Sequence, residues 1–381
     1  MDTTQVDAAI DAAQNADTLD VFAGAAEQTP RMVPKTKQLM THSRGSCFKT
    51  CRRREFWAYE CGIRAEVDSR ALRMGSNFHE AIHELRTGQS IADVCQLIRG
   101  AYANPPGTID PYDWTIEGET IAALVVSYDW RWKDCELKVI ASEQSFQLPL
   151  RNPATGAAST AFDRAGKIDG IVELECGRQA VLESKLLSDS LDDDSVFWRR
   201  LQLDQQVSGY IDSARQLGFP ADTVLYDVTR KPTISPASVA VTDDLGAKIV
   251  LDGCGNRVKT ERGQWRQTGD KEKGYALQTR AMTPDEWSKR LLADVAERPT
   301  YYFARREIPR LDAEVQEFQE ELWELQKVIR DAQKHNRWYR TVTRDSCPYC
   351  PYFSLCTSKY NPGDPLPEGF KTVENINPEL E

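Results

Sequence analysis

Two acidic residues and a lysine near the middle of the chain have the types and spacing of a metal-dependent hydrolytic site. Glu183 and Lys185 are two residues apart in an apolar run, and strand side chains alternate, so both project from one face. The Cys-Gly-Arg turn at 176–178 predicts a hairpin that brings Asp169 alongside them. Two carboxylates on adjacent strands suit Mg²⁺ or Mn²⁺, which prefer oxygen ligands. With a lysine to orient the attacking water, such a site would hydrolyse a phosphodiester.

Two predicted helices add polar residues to this set. His79 lies near the start of one helix, and Gln206 and Tyr210 lie one turn apart on another. Each signal is weak alone, because the chain has 58 acidic and 48 basic residues and Glu136-Leu-Lys138 has the same acid-x-lysine form. The order of the four segments along the chain is what favours a shared site.

The elements that must position these residues alternate between helix and strand. A helix is predicted before three extended runs, and a second helix and a further strand follow them. The extended runs are 139–150, 161–175, 179–186 and 223–228, and the second helix is 196–217. This α-β-β-β-α-β order predicts an α/β fold with a central mixed β-sheet flanked by helices.

The composition is that of a globular chain with an acidic balance. Its 381 residues are 40% hydrophobic and 28% charged, with a net charge of −10. Residues 1–35 carry −4 and residues 357–381 carry −3, so residues 36–356 carry −3 and a local basic groove could coexist with this balance. No run approaches the roughly 20 apolar residues of a membrane span, and no signal-peptide pattern is visible. We therefore expect a cytoplasmic protein with no membrane partner.

Cys347, Cys350 and Cys356 form a C-x2-C-x5-C cluster late in the chain. In an intracellular protein such spacing favours metal ligands over disulfides. Three thiolates on a tight loop normally need a fourth ligand to hold a soft metal. The spacing alone leaves zinc and an iron–sulfur cluster open, because C-x2-C occurs in both.

The ordered set resembles the PD-(D/E)XK nuclease superfamily, and within it the RecB-like exonuclease branch that carries a four-cysteine iron–sulfur cluster. The resemblance covers roughly residues 41–360, and the chain has Ile168 where the superfamily's name places a proline. It implies a restriction-endonuclease-like core and a Mg²⁺- or Mn²⁺-dependent deoxyribonuclease. The branch implies an exonuclease acting on single-stranded DNA or processed ends in recombination, replication or defence. The branch also implies a helicase or a recombination protein as a partner. A phage origin would suit a compact member of the branch.

The resemblance also assigns roles to residues. The metal ligands that it implies are an imidazole, two carboxylates and a backbone carbonyl, from His79, Asp169, Glu183 and Ser184. Lys185 is the implied catalytic lysine. Gln206 and Tyr210 match a helical motif that supports the site and touches DNA.

An early cysteine completes the cluster pattern. The run 48–56 is similar to the one-early, three-late arrangement of the iron–sulfur nucleases, which makes Cys51 the fourth ligand, with Cys47 and Cys61 as substitutes. The resemblance therefore implies a 4Fe-4S cluster, with Zn²⁺ as the alternative, on Cys51, Cys347, Cys350 and Cys356. The cluster would clasp an N-terminal and a C-terminal helical region and close a loop of roughly 300 residues.

Arginines beside Cys51 are predicted to bind DNA. Arg52, Arg53 and Arg54 lie among aromatic residues, and such groups bind the backbone and stack on the bases of a single strand. Weakening these arginines is expected to lower DNA affinity in a salt-dependent way.

We divide the chain into three parts. Residues 1–35 form a flexible arm, residues 36–360 the nuclease domain, and residues 361–381 an acidic, Pro-rich tail that trails off the surface. Within the domain, the catalytic core is about 137–230 and an inserted β-hairpin or loop is about 241–280. The clasp comes from 47–61 and 345–358.

A zinc metalloprotease is the competing enzyme. Residues 79–83 spell H-E-x-x-H, in which His79 and His83 would bind Zn²⁺. The extended form of that motif fails because Arg86 stands at its glycine, and a third ligand would come from somewhere such as Glu117 or Glu119. The protease hypothesis leaves Asp169, Glu183 and the cysteines unexplained.

A catalytically inactive DNA-binding scaffold of the same fold is the second alternative. The intact Asp169, Glu183 and Lys185 argue against it, because a protein without catalysis has no physical need to gather these charges. Whether the protein cleaves DNA distinguishes the inactive scaffold from the nuclease.

Overall fold

A mixed six-stranded β-sheet forms the centre of the molecule. The computed structural model describes residues 37–135 and 137–380, so the predicted arm at 1–35 lies outside the described residues, as does Glu136. The strands of this described part are β1 (Gln38–Met40), β2 (Ile63–Ala65), β3 (Lys138–Arg151), β4 (Ala158–Glu173), β5 (Gln179–Leu187), β6 (Thr223–Arg230), β7 (Ser238–Ala240), β8 (Val250–Leu251), β9 (Ala276–Leu277), β10 (Thr279–Ala281), β11 (Phe303–Pro309) and β12 (Phe370–Thr372).

The central sheet has the strand order β1-β4-β5-β6-β11, and β3 also pairs with β4. The pairs β1–β4 and β5–β6 are parallel, whereas β3–β4, β4–β5 and β6–β11 are antiparallel. The predicted α/β class with a central mixed sheet is therefore confirmed.

Helices flank this sheet. Those of the described residues are α1 (His42–Thr50), α2 (Arg52–Glu55), α3 (Arg70–Arg86), α4 (Ile91–Ala101), α5 (Pro111–Trp132), α6 (Val196–Leu201), α7 (Gln205–Gln216), α8 (Pro284–Glu297), α9 (Pro299–Tyr302), α10 (Asp312–His335) and α11 (Phe353–Thr357). A π-helical turn, Phe56–Glu60, continues α2. Within the described part of the chain, no helix is both long enough and apolar enough to cross a bilayer.

Two large apolar cores hold the helices in place. One joins α6 and α7 to the sheet through Val181 of β5 and Val224 of β6. The other lies among α3, α4, α5 and α8, around Trp287. β6 is buried along nearly its whole length, as expected of a central strand covered on both faces. The central strands therefore pack between the two cores, with Leu186 of β5 against one and Val181 of β5 in the other.

The helix predicted over 196–217 is two helices, α6 and α7. Asp204 ends the continuity because its side chain accepts a hydrogen bond from the Gln206 amide, at 2.8 Å, and caps α7. The guanidinium of Arg310 donates to the Leu201 carbonyl at the end of α6. The prediction of one helix was wrong here, and the break places Gln206 in the first turn of α7.

Residues 238–281, which contain the predicted insertion, form small antiparallel hairpins. β7 pairs with β10 and β8 pairs with β9. Isolated bridges, such as Lys259 with Trp265, continue the ladder. Most of these residues are exposed, so the hairpins contribute little to the cores.

The C-terminal segment packs against the domain rather than trailing away. β12 pairs with β2, and the Val373 amide donates to the Gly62 carbonyl at 2.8 Å. Asn377 is buried. The prediction of a surface tail was wrong for residues 370–380, because the exposed edge of β2 offers backbone partners that a sequence pattern does not reveal.

Candidate metal and catalytic site

The antiparallel ladder between β4 and β5 ends at the pair Gly170–Leu182, while β5 continues its pairing with β6. Asp169 and Glu183 are the next residues, at the point where the two strands part, which we call the fork. Beyond the fork the Ser184 amide donates to Asp169 Oδ2 at 2.7 Å instead of to a β4 carbonyl. The side chain of Asp169 therefore bridges the two strands where the backbone ladder stops.

His79 reaches the fork from α3. Ser69 caps this helix, and Phe78 and Ile82 bury its apolar face, which turns His79 toward the sheet. The His79 Nε2 to Asp169 Oδ2 distance is 2.7 Å. Burial disfavours protonation of His79, but the hydrogen bond to Asp169 and the charge of that carboxylate outweigh it and raise the pKa of His79.

Glu183 is almost completely buried beside Asp169. Lys185 Nζ forms an ion pair with Glu183 Oε1, and Gln206 Nε2 donates to the same oxygen at 3.3 Å. None of the described residues donates a hydrogen bond to the other oxygen, Oε2, although it is buried. Burial raises the pKa of Glu183 to about 7, with Asp169 adding to the shift and Lys185 opposing it.

Tyr210 and Gln206 complete the polar group around the fork. Gln206 Nε2 donates to the Tyr210 hydroxyl at 2.9 Å, as their spacing of one turn on α7 allows. Burial and the charges of Glu183 and Asp169 raise the pKa of Tyr210. Tyr210 is therefore a neutral hydroxyl, and the pair links α7 to Glu183.

The donor set at the fork suits a hard divalent ion. Asp169, Glu183 and His79 supply oxygens and one imidazole nitrogen, and the unpartnered Oε2 of Glu183 is a buried acceptor that a cation would satisfy. Within 37–135 and 137–380, however, no three His, Cys, Asp or Glu side chains are arranged as a complete metal-binding group. In the structure Asp169 is hydrogen-bonded to His79, while Glu183 forms an ion pair with Lys185.

The zinc-protease pattern is not assembled. His79 bonds to Asp169, whereas the nearest acidic group to His83 is Glu143, with His83 Nδ1 and Glu143 Oε1 3.8 Å apart. Glu117, a candidate third ligand, is engaged by Arg73 at 2.9 Å. The two histidines are therefore directed to different partners.

His42 was not predicted to lie near the site. It begins α1 and lines one cavity of about 110 Å³ together with Gln206 and Tyr210. His42 is exposed by its surface area, but loss of hydration among the surrounding residues lowers the pKa of His42 to about 4; Asp204 opposes this shift, and Lys185 and Lys49 reinforce it. The signal in the sequence was only the helix cap at Thr41, which carries no information about the distant Tyr210.

Comparison with protein-family models matches residues 39–357 to the PD-(D/E)XK nuclease superfamily. The chain belongs to this superfamily. Comparison with curated proteins gave no significant match. Membership implies nuclease activity and the use of divalent metal ions, and a nuclease of this superfamily would act on DNA.

The four predicted cluster cysteines of this superfamily member lie around one small cavity. Cys51, Cys347, Cys350 and Cys356 line a space of about 30 Å³ and are free thiols. Cys51 Sγ accepts a hydrogen bond from the Thr341 amide at 3.4 Å. In the described residues no three of these thiols have the geometry of a formed metal site. The structure thus brings the four together without forming a cluster site.

The three predicted DNA-binding arginines of this nuclease-superfamily chain point to different surroundings. Arg52 lies over the exposed Tyr339, with 4.4 Å between its guanidinium carbon and the ring centroid. Arg53 donates to the Trp338 carbonyl at 2.7 Å, and Arg54 lines the cysteine cavity. The three side chains therefore do not share one contact.

Proposed function

We propose that the protein is a Mg²⁺- or Mn²⁺-dependent DNA exonuclease. The observation that carries the proposal is the fork, where Asp169 and Glu183 meet beside His79, Lys185 and a buried carboxylate oxygen with no partner among the described residues. Superfamily membership supports phosphodiester hydrolysis as the reaction.

The ion would be held by His79, Asp169, Glu183 and the Ser184 carbonyl. When bound, it supplies charge that stabilises the phosphorane-like transition state and favours the hydroxide form of water. Lys185, whose pKa is raised by Glu183 and Asp169 despite burial, stays protonated and orients the attacking water. Gln206 holds the Glu183 carboxylate in place, and Tyr210 holds Gln206.

The exonuclease mode and the biological setting rest on the motif order and the cysteines. The ordered segments at 79, 169, 183–185 and 206–210 are similar to the RecB-like branch, which supports action on single strands or processed ends in recombination, replication or defence. A helicase or recombination protein is the expected partner. Arg52, Arg53 and Arg54 are the proposed DNA contacts.

Replacing Lys185 with alanine tests the catalytic proposal. We expect Lys185→Ala to fold normally and to lose Mn²⁺-dependent digestion of end-labelled strands, because the residue that orients the water is gone. Lys138→Ala is the matched control. Lys138 follows an acidic residue by two positions, as Lys185 does, but it pairs with the partly exposed Glu173. A wild-type protein that binds DNA and cleaves no strand in Mg²⁺ or Mn²⁺ would support the inactive scaffold instead.

We also propose that Cys51, Cys347, Cys350 and Cys356 hold a 4Fe-4S cluster, with Zn²⁺ as the alternative. The shared cavity and the soft thiolate donors support it. Anaerobically purified protein is expected to be brown, to absorb visible light and to contain about four iron atoms per chain. Cys51→Ser should lose the colour, whereas replacing the exposed Cys254 should keep it. Colourless protein that contains zinc would refute the iron–sulfur cluster and favour Zn²⁺ at the four cysteines.

A further inference from the structure

Arg86 makes a second contact between α3 and the site, this time to β5, the strand that carries Glu183 and Lys185. It lies two helical turns after His79, so both side chains leave the helix in similar directions. Arg86 Nη1 donates to Ser184 Oγ at 2.8 Å. Ser184 stands between Glu183 and Lys185, and its side chain points to the opposite face of β5 from theirs. One helix therefore contacts both sides of the fork, through His79 and through Arg86.

A buried carboxylate fixes Arg86 from behind. Asp227 on β6 is directly paired with Ser184 in the β5–β6 ladder. Its carboxylate Oδ2 accepts from Arg86 Nη2 at 2.9 Å and from the Tyr128 hydroxyl at 2.5 Å, and Arg305 Nη2 lies 3.2 Å away. We call these four residues the Asp227 cluster. A carboxylate with this little exposure needs such partners, so the guanidinium has little freedom to move.

The geometry points to Arg86 as a positioning residue for the metal-binding strand. Through Ser184 Oγ it fixes the residue whose amide binds Asp169 and whose carbonyl we assign to the metal ion. Arg86 touches neither substrate nor ion in this role. The inference rests on the proposed function, because it concerns how accurately that metal site is held.

The guanidinium shape is what the role requires. One nitrogen of Arg86 binds Ser184 while the other binds Asp227 and Tyr128, and a lysine ammonium has no such planar fork of donors. Arg86→Lys would keep a positive charge beside Asp227, so the buried carboxylate stays neutralised. It would lose the simultaneous contact with Ser184.

Metal affinity is the measurement that tests the role. Mn²⁺ binding to Arg86→Lys, followed by electron paramagnetic resonance without DNA, should weaken by about 10- to 100-fold, the usual cost of losing a residue that supports a ligand. Ser184→Ala, which removes only the hydroxyl, should weaken Mn²⁺ binding in the same direction. The double variant should be no worse than Arg86→Lys, because both changes remove one interaction. DNA binding without divalent ions should stay at the wild-type level, because Arg86 does not touch the substrate in this role.

Arg305→Lys is the matched control. Arg305 contacts Asp227 and Tyr128, but its described hydrogen bonds do not include Ser184. It should retain wild-type Mn²⁺ affinity while showing a similar change in melting temperature to Arg86→Lys. Equal losses of Mn²⁺ affinity in the two variants, or additive losses for Arg86→Lys and Ser184→Ala, would overturn the positioning role. A wild-type protein that binds no Mn²⁺ would overturn the proposed function itself.

Discussion

Asp169 and Glu183 lie side by side at the fork, yet their surroundings move their pKa values in opposite directions. Burial opposes ionisation of both. At Asp169 the hydrogen bonds from His79 and the Ser184 amide outweigh it and lower the pKa. At Glu183 burial prevails and raises the pKa to about 7. Asp169 is therefore an ionised carboxylate at neutral pH, whereas burial makes Glu183 harder to ionise.

Glu183→Gln keeps the side-chain volume and removes this charge. We expect Mn²⁺-dependent DNA cleavage to fall by more than about 100-fold, because one of two carboxylates at the fork is lost. The melting temperature should stay the same or rise, since a buried acid beside Asp169 becomes a neutral amide. Glu173→Gln, a change near the other end of the hairpin, is the control. Equal cleavage rates in the two variants would remove Glu183 from the site.

A second buried acid gives the molecule a pH-dependent stability. Glu55 is fully buried against Arg44, with 2.9 Å between Arg44 Nε and Glu55 Oε1. Burial raises the pKa of Glu55 from an ordinary 4.5 to about 7, although Arg44 opposes the shift. Between these values the folded chain holds a proton that the unfolded chain releases, so this residue makes stability fall as pH rises from about 4.5 to about 7.

Glu55→Gln should remove that contribution. The stability of the variant relative to wild type should be greater at pH 8 than at pH 5, because only the wild type must ionise a buried acid. Thermal or urea unfolding at the two pH values measures it. The exposed Glu324, which pairs with Lys327, provides the control substitution Glu324→Gln. A relative stability that is the same at both pH values would mean that Arg44 keeps Glu55 ionised throughout.

At the residue scale, the sequence reveals the groups whose spacing is local. Glu183 and Lys185 were found because two-residue spacing has a direct meaning in a strand, and Asp169 because the turn at 176–178 fixes its neighbour. Arg86 was interpreted only as a mismatch to a protease motif. Its partners Ser184 and Asp227 are 98 and 141 residues away. In the sequence alone, an arginine with such distant partners cannot be distinguished from a surface arginine.

At the scale of elements, the break between α6 and α7 decides where Gln206 lies. The apolar pattern of 196–217 continues across the break, so periodicity predicted one helix. The cap at Asp204 and the bond from Arg310 to the Leu201 carbonyl end that continuity. The strands were easier to predict, because alternation and the hairpin turn are local, whereas the pairing of β12 with β2 joins segments about 300 residues apart.

Asp204→Ala should therefore affect both the helix and the site. Loss of this cap should cost about 1 kcal/mol of stability. It should also lower the cleavage rate, because Gln206, which contacts Glu183, is in the uncapped turn. Asp204→Asn is the matched control, since asparagine caps a helix as well as aspartate does. Melting temperature and DNA digestion measure the two effects; an Asn variant as impaired as the Ala variant would assign the effect to charge rather than to the cap.

At the scale of the whole molecule, the two ends of the described chain meet. Trp57 and Ile63 pack with Tyr352 and Leu355 in one apolar cluster, and β12 pairs with β2 beside it. The Thr41 hydroxyl, at the start of α1, donates to Glu379. This packing joins the regions that carry Cys51 and the three late cysteines, so the ends are held by apolar and backbone contacts as well as by any cluster.

Ending the chain after Gly369 should destabilise this region. β2 would lose its backbone partner and Thr41 would lose Glu379, so we expect the melting temperature to fall by at least about 2 °C. Lys371→Ala is the control, because it leaves the backbone pairing of β12 intact. Differential scanning calorimetry compares them, and a truncated protein that melts with the control would show that the β12–β2 pairing carries little stability.

The parting of β4 from β5 also has a mechanical consequence. No ladder hydrogen bond ties β4 to β5 on the Asp169 side of Gly170. Farther along, at 162–164, β4 pairs with β1, while β3 pairs along the other edge of β4 on both sides of Gly170. Because β5 does not pair with β4 there, the separation of the two carboxylates depends on the pairing of β4 with β3 and on side-chain contacts across the gap. Among the described residues, the bond from the Ser184 amide to Asp169 spans this gap directly, and α3 spans it through His79 on Asp169 and Arg86 on Ser184.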